Sequence, residues 1–130
     1  MDQTALVGLD VSAGKRLVEA LDAKLQVEAA FWLMEDDTWK LLLVTPLVHE
    51  QGPRFVYRRV LDVIESTADL PHGLFDRVAV FSPSSRMITT FSGDGQIPLD
   101  RLILNESVKG AYVAGAYFYK FQPKTFAKAS

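Results

Sequence analysis

Hydrophobic residues recur every three or four positions in two stretches of the chain, and this spacing predicts two amphipathic helices. In residues 10–25, apolar side chains such as Leu17 and Leu21 share one face, while charged residues lie on the others. The second helix is expected to start at Pro53, because the first helical position tolerates the missing amide of proline, and to run to about Thr67.

Two apolar segments between these helices predict an antiparallel hairpin. Residues 27–35 and 39–45 are rich in apolar, aromatic and β-branched side chains, and the polar trio 36–38 between them suits a turn. Both faces of the first segment are apolar, so it lacks the alternation of a half-exposed strand. We therefore expect this hairpin at the centre of a sheet or covered by a partner.

The second half of the chain predicts three more strands. A short strand at 78–81 is followed by a short helix that Ser84 could cap and that extends to about residue 91. After an irregular stretch, strands are expected at 102–105 and 112–121, joined by a turn near Gly110, whose sequence context favours a reversal.

The resulting order, α-β-β-α-β-(α)-β-β, has too many hairpin-spaced strands for a doubly wound parallel fold. We expect an α+β fold: a mostly antiparallel sheet of about five strands with two main helices packed on one face. The length of 130 residues suits a single domain, 1–130, with a loose N-terminus (1–8) and a loose C-terminal tail (123–130).

Composition narrows the class of protein further. The net charge of −2 argues against nucleic-acid binding, since it supplies no overall positive field. The chain has no cysteine and therefore no disulfide or thiolate chemistry, which suits a reducing cytoplasm. Charged residues interrupt its longest apolar stretch, 29–47, and the first residues resemble no secretory signal. We expect a cytoplasmic protein with no membrane association.

A few loop residues could carry ligand chemistry. His49 and Glu50 follow the second strand, and Ser84 and Arg86 lie at a predicted helix start, where an anion is favoured; Arg54 is the fifth member of this candidate ligand or anion set. Surface histidines and simple helix capping are the plainer interpretations. The sequence has no close His or Cys spacing, so no metal or cofactor is expected, and no catalytic constellation is recognisable.

Arg54, Arg58 and Arg59 cluster on the second predicted helix. They would form either a basic patch for a phosphate backbone or an ordinary solvated helix face.

The last predicted strand is unusually aromatic. By alternation, Tyr117, Tyr119 and Phe121 would share one face, and Tyr112 and Phe118 the other. One face should pack on the helices, and the other would be an interface with a second copy or another protein. The alternatives are that the C-terminal segment covers this face, or that these aromatic rings are internal packing between strands.

Several short segments of the chain resemble a family of small bacterial proteins of unassigned function. The segments that carry the resemblance are Asp10-x-x-x-Gly14, Ala30-Phe31-Trp32-Leu33, Thr45-Pro46-Leu47-Val48 with Gly52-Pro53, Tyr57-Arg58-Arg59-Val60 and Ala116-Tyr117-Phe118-Tyr119. The resemblance implies a bacterial cytoplasmic origin and assigns no catalytic or ligand residues.

Three functions remain open at this point. The first is a non-catalytic binding or accessory module that acts through protein association, with another protein or as a homodimer. The second is a small-ligand or phosphate-handling enzyme that uses the loops around His49 and Ser84. The third is nucleic-acid binding through the arginine-rich helix.

Overall fold

A computed structural model describes residues 8–123 of the chain as an α+β fold. The helices are α1 (Gly8–Asp22), α2 (Leu47–Gln51), α3 (Pro53–Ser66) and α4 (Arg86–Thr89), with a 3₁₀ helix at His72–Arg77; the strands are β1 (Ala29–Glu35), β2 (Thr38–Val44), β3 (Val78–Phe81), β4 (Leu102–Val108) and β5 (Ala111–Phe121). The predicted loose ends, 1–8 and 123–130, lie outside the described residues except for Gly8, which starts α1, and Pro123.

The five strands form one mixed sheet in the order β3-β2-β1-β5-β4. Three of the four neighbouring pairs are antiparallel, and β2 pairs with β3 in parallel. A parallel pair needs a long crossover, which α2, α3 and the 3₁₀ helix supply. The prediction of a mostly antiparallel sheet is confirmed, and the predicted hairpin β1–β2 lies at its centre.

Helices α1 and α3 cover one face of the sheet, which we call the helix face. Their apolar stripes, including Leu17 and Val60, pack on Trp32 and Leu41 of the central strands. The polar faces of the two helices point to water, so the periodicity of each helix correctly predicts which of its sides is buried.

The opposite face is covered by α4 and the segment that follows it. Phe91 packs edge-on against Phe31 and Phe118 with ring centroids 5.8 Å apart, and these two rings stack on each other at 4.6 Å. Helix α4 is shorter than predicted, and Ser85 rather than Ser84 caps it, by accepting a hydrogen bond from the Met87 amide at 3.3 Å. Since helices α1 and α3 cover one face of the sheet, and α4 with the segment after it covers the other, β1 is buried on both faces.

The hairpin turn is tighter than predicted. Asp36 and Asp37 have positive φ angles of 50° and 61°, as the two-residue turn that best matches strand twist requires. Thr38 consequently pairs with Glu35 and belongs to β2.

A β-bulge interrupts the aromatic strand β5. Ala30 pairs with Lys120, but the next residue of β1, Phe31, pairs with Phe118, so Tyr119 is an extra residue in β5. The strict alternation predicted for this strand is therefore wrong beyond Tyr119, because Phe121 does not share the face of Tyr117 and Tyr119. Tyr119 stays on the helix face, whereas Phe121 packs beside Phe118 on the opposite face.

Candidate functional site

The carboxyl ends of the parallel strands β2 and β3 hold a small open pocket. Its volume is about 190 Å³, and its lining residues are Pro46, His49, Glu50, Ser82, Pro83 and Ser84. Helix α2 follows β2 directly and brings His49 and Glu50 to this edge, while the loop after β3 brings the two serines. Parallel strands end at the same edge of a sheet, which is why residues more than thirty positions apart in sequence meet here.

The chemistry available in this pocket is modest. The Ser82 and Ser84 hydroxyls hydrogen-bond to each other at 2.9 Å, and His49 and Glu50 are exposed. Among the described residues, no hydrogen bond joins either hydroxyl to His49, so the pairing that activates a serine nucleophile is not formed. The arrangement can bind a small polar molecule through hydroxyl, imidazole and carboxylate groups.

The two arginines of the predicted ligand set do not line this pocket. Arg54 is exposed in the first turn of α3, and Arg86 is exposed at the start of α4. The structure thus brings together His49, Glu50 and Ser84 but leaves the positive charges outside, which removes the main attraction for an anion.

The arginine cluster on α3 lies on a solvated helix face. Arg54, Arg58 and Arg59 are all exposed, and the Arg59 guanidinium lies 5.1 Å from the centre of the Phe55 ring on the same helix. That contact is a local cation–π interaction and needs no ligand.

The predicted aromatic interface is divided between several places in the fold. Phe118 is completely buried, so the folded chain can offer none of it to a partner; Tyr117, Tyr119 and Phe121 are half-buried against the two cores. Tyr112 is 67% exposed, and its hydroxyl donates a hydrogen bond to the Asn105 side chain at 2.7 Å. Internal packing, the alternative interpretation, accounts for the buried rings.

A polar network that the sequence did not predict joins α1 to the sheet. The Tyr119 hydroxyl accepts a hydrogen bond from the Trp32 indole at 2.9 Å and donates one to the Val11 carbonyl at 2.6 Å. The Arg77 guanidinium lies 4.6 Å from the centre of the Trp32 ring and forms a 2.8 Å ion pair with Asp10. Burial is the main cause that raises the pKa of Tyr119.

The free edge of the sheet at β4 exposes two large hydrophobic side chains. Leu102 and Leu104 are 43% and 51% exposed, although β5 pairs with their strand on its other side. The strand contains neither proline nor lysine, two residues that often protect an exposed edge, but it carries the exposed Glu106 and has a positive φ of 52° at Asn105, which the ladder skips. The run Leu102-Ile103-Leu104 was the available sequence signal, but only the strand order reveals that it lies at an edge.

Other site classes find no support in the part of the chain that the structure describes. The side chains that the structure describes, which do not include those of residues 9 and 72, contain no group of three or more His, Cys, Asp or Glu able to hold a metal ion. No helix within residues 8–123 is both long and apolar enough to cross a membrane.

No family model, curated protein or solved structure matches the chain.

Proposed function

We propose that this chain is a non-catalytic binding module of a bacterial cytoplasm that works through protein association, with the free edge of β4 as its contact surface. The observation that carries the proposal is the exposure of Leu102 and Leu104 on an edge strand. An unpaired edge offers backbone donors and acceptors to another strand, and the leucines offer apolar area beside them. The cytoplasmic placement rests on the cysteine-free composition and the family resemblance.

The test replaces the two leucines by threonine, which keeps a high strand propensity but removes apolar surface. Leu99→Thr is the matched control, because Leu99 is also 51% exposed but lines a groove beside Tyr119 and Phe121 instead of belonging to β4. The tagged chain is purified from its host and examined by native mass spectrometry. A bound polypeptide should be present with the wild type and with Leu99→Thr, and absent with Leu102→Thr/Leu104→Thr.

The proposal is wrong if the wild type carries no second polypeptide of any kind at the highest concentration measured. It is also wrong if the double variant, shown by circular dichroism to be folded, retains its partner fully.

The second candidate function is the binding of a small polar ligand in the pocket at the ends of β2 and β3. The convergence of His49, Glu50 and Ser84 favours it. Because Glu50 adds a negative charge while Arg54 and Arg86 do not line the pocket, a small ammonium or polyol compound fits better than phosphate.

Two NMR titrations of the amide signals, one with ethanolamine and one with inorganic phosphate, test this second function. Saturable shifts confined to the residues around His49 and Ser84 are expected with ethanolamine and should be lost in Glu50→Gln. Flat titrations with both compounds would show that the pocket binds neither a small ammonium compound nor an anion.

A further inference from the structure

We propose that the partner of β4 is the β4 strand of a second copy of this chain, paired antiparallel across a two-fold axis near Ile103. The inference rests on the proposed function, association through β4, and names its partner. The two five-stranded sheets would then form one continuous sheet of about ten strands, closed by a single self-complementary interface.

The two exposed leucines lie on the same face of the sheet. Leu102 is opposite Tyr117, and Leu104 is opposite Gly115, and residues directly opposite each other in an antiparallel pair share a face. Tyr117 packs against the core beneath α1 and α3, and a Cβ on Gly115 would lie 2.6 Å from the Trp39 ring of that core. Leu102 and Leu104 therefore extend the helix face beyond the part that the helices cover.

This shared face selects the register of the pairing. With Ile103 on the axis, Leu102 of each copy lies opposite Leu104 of the other, so four leucines come together on one face. If the register between the two β4 strands shifted by one residue, a side chain on the helix face of one copy would lie opposite a side chain on the other face of its partner. A two-fold axis perpendicular to a continuous sheet does not allow this, because it keeps each face on the same side. With Leu102 or Leu104 on the axis instead, one leucine would meet its own copy and the other would have no apolar partner.

The charges at the ends of the strand bear on the direction of pairing. Arg101, just before β4, and Glu106, within it, form an exposed ion pair at 3.5 Å. With Ile103 on the axis, Arg101 of each copy lies opposite Asn105 of the other and one residue from its Glu106, whereas parallel in-register pairing would put Arg101 beside Arg101 and Glu106 beside Glu106. Glu106 also lies opposite Asp100 of the other copy, so the charges favour the antiparallel direction only in part. These exposed charges contribute mainly to specificity, because solvent screens them.

The backbone limits how strong this interface can be. Asn105 has a positive φ of 52°, and the ladder between β4 and β5 skips it, so the regular part of the edge is short. A short ladder and four half-exposed leucines make a small interface, and we expect a weak dimer that forms with increasing protein concentration.

The absence of cysteine from the chain makes single introduced cysteines an unambiguous test of this register. Leu102→Cys and Leu104→Cys are prepared separately and oxidised alone and as an equal mixture. In the mixture the two cysteines lie directly opposite, with Cβ atoms roughly 5 Å apart, while each variant alone places them diagonally, roughly 7–8 Å apart. The mixture should give disulfide-linked dimer several-fold faster than either variant alone.

Thr89→Cys, at an exposed position on α4, measures random collision. Faster cross-linking of Leu104→Cys or Leu102→Cys alone than of the mixture would overturn the proposed register. A mixture that cross-links no faster than Thr89→Cys, with wild type that sediments as a monomer at high concentration, would overturn self-pairing altogether. If a different polypeptide is then lost on Leu102→Thr/Leu104→Thr, the second copy is the wrong partner, but association through β4 stands.

Discussion

Gly14→Ala should destabilise the protein, even though alanine is the better helix former. Gly14 lies where α1 crosses the sheet, and a Cβ at this position would be 2.5 Å from the Tyr119 hydroxyl oxygen and 2.9 Å from the Trp32 indole nitrogen. These two atoms are hydrogen-bonded to each other, and the hydroxyl also donates to the Val11 carbonyl. The added methyl group must therefore displace α1 or break this network.

The expected change in the free energy of unfolding combines one favourable and two unfavourable contributions. Alanine in place of glycine inside a helix gains about 1 kcal/mol. Overpacking a well-filled site costs about 1–3 kcal/mol, and separating the Trp32 indole from its buried acceptor costs about 1–3 kcal/mol more. We expect a net loss of about 1–3 kcal/mol in the free energy of unfolding, because part of the strain is relieved when Tyr119 moves.

The assay is urea unfolding followed by tryptophan fluorescence. If the free energy of unfolding depends on urea concentration with the same slope in each variant, the difference in midpoints reports the difference in stability directly. Gly8→Ala is the control on the same helix, because a Cβ there meets no atom of the described residues within 4 Å. It should leave stability unchanged or slightly raise it.

A double-mutant cycle then tests the proposed cause. Tyr119→Phe removes the oxygen closest to the new methyl group, so Gly14→Ala should cost less in that background, with a coupling of about 1 kcal/mol. Stabilisation by Gly14→Ala, or strict additivity of the two substitutions, would refute the reasoning.

Three further predictions concern the same fold. Burial raises the pKa of Tyr119, so the neutral hydroxyl contributes to stability below about pH 10, the ordinary tyrosine pKa, and this contribution falls as the pH rises further. In urea unfolding, Tyr119→Phe should therefore lower the free energy of unfolding less at about pH 11 than at about pH 8. Equal losses at the two pH values would contradict this. Gly93→Ala should lower the free energy of unfolding by more than about 2 kcal/mol, because the new Cβ would lie 2.5 Å from the Lys109 carbonyl oxygen. That oxygen already accepts a hydrogen bond from the Gly93 amide, with 2.7 Å between nitrogen and oxygen. An unchanged melting temperature would show that this turn can relax. Arg77→Met should cost about 1 kcal/mol and change the fluorescence of Trp32, since the guanidinium covers that ring and pairs with a carboxylate on α1; an unaltered emission spectrum would contradict the stacking.

The elements that could be predicted from the sequence are those whose signal is local. The stripe on α1 and the proline at the start of α3 identify two helices, and the apolar character of both faces of β1 indicates its central position. Each of these properties depends on neighbours within one or two turns or on alternation within one strand.

The rest depends on contacts between distant residues. Alternation along β5 predicts the wrong face for Phe121, because nothing in the local sequence announces that Tyr119 is an extra residue. The bulge is stabilised by partners far away in the chain: the Tyr119 hydroxyl bonds to Trp32 and to Val11. The parallel partner of β2 also depends on strand order, which hydrophobic patterning does not determine.

The pocket at the sheet edge has the same origin. His49 and Glu50 could be placed in a loop from the sequence, and Ser84 in another, but only the parallel pairing of β2 and β3 brings these loops together. Arg54 and Arg86 were grouped with them by sequence proximity to the loops, and their helices carry both side chains to other surfaces.

The location of the exposed apolar surface follows from how the sheet is covered. β5 lies next to the central strand, so covers on both faces bury most of its aromatic rings, and Phe118 becomes core. β4 lies one strand farther out, and none of its residues belongs to the core beneath α1 and α3. Ile103 of β4 is buried in the core on the opposite face of the sheet. Leu102 and Leu104 consequently remain exposed on the edge strand, and a search for the proposed partner should start at this aliphatic edge rather than at the aromatic strand.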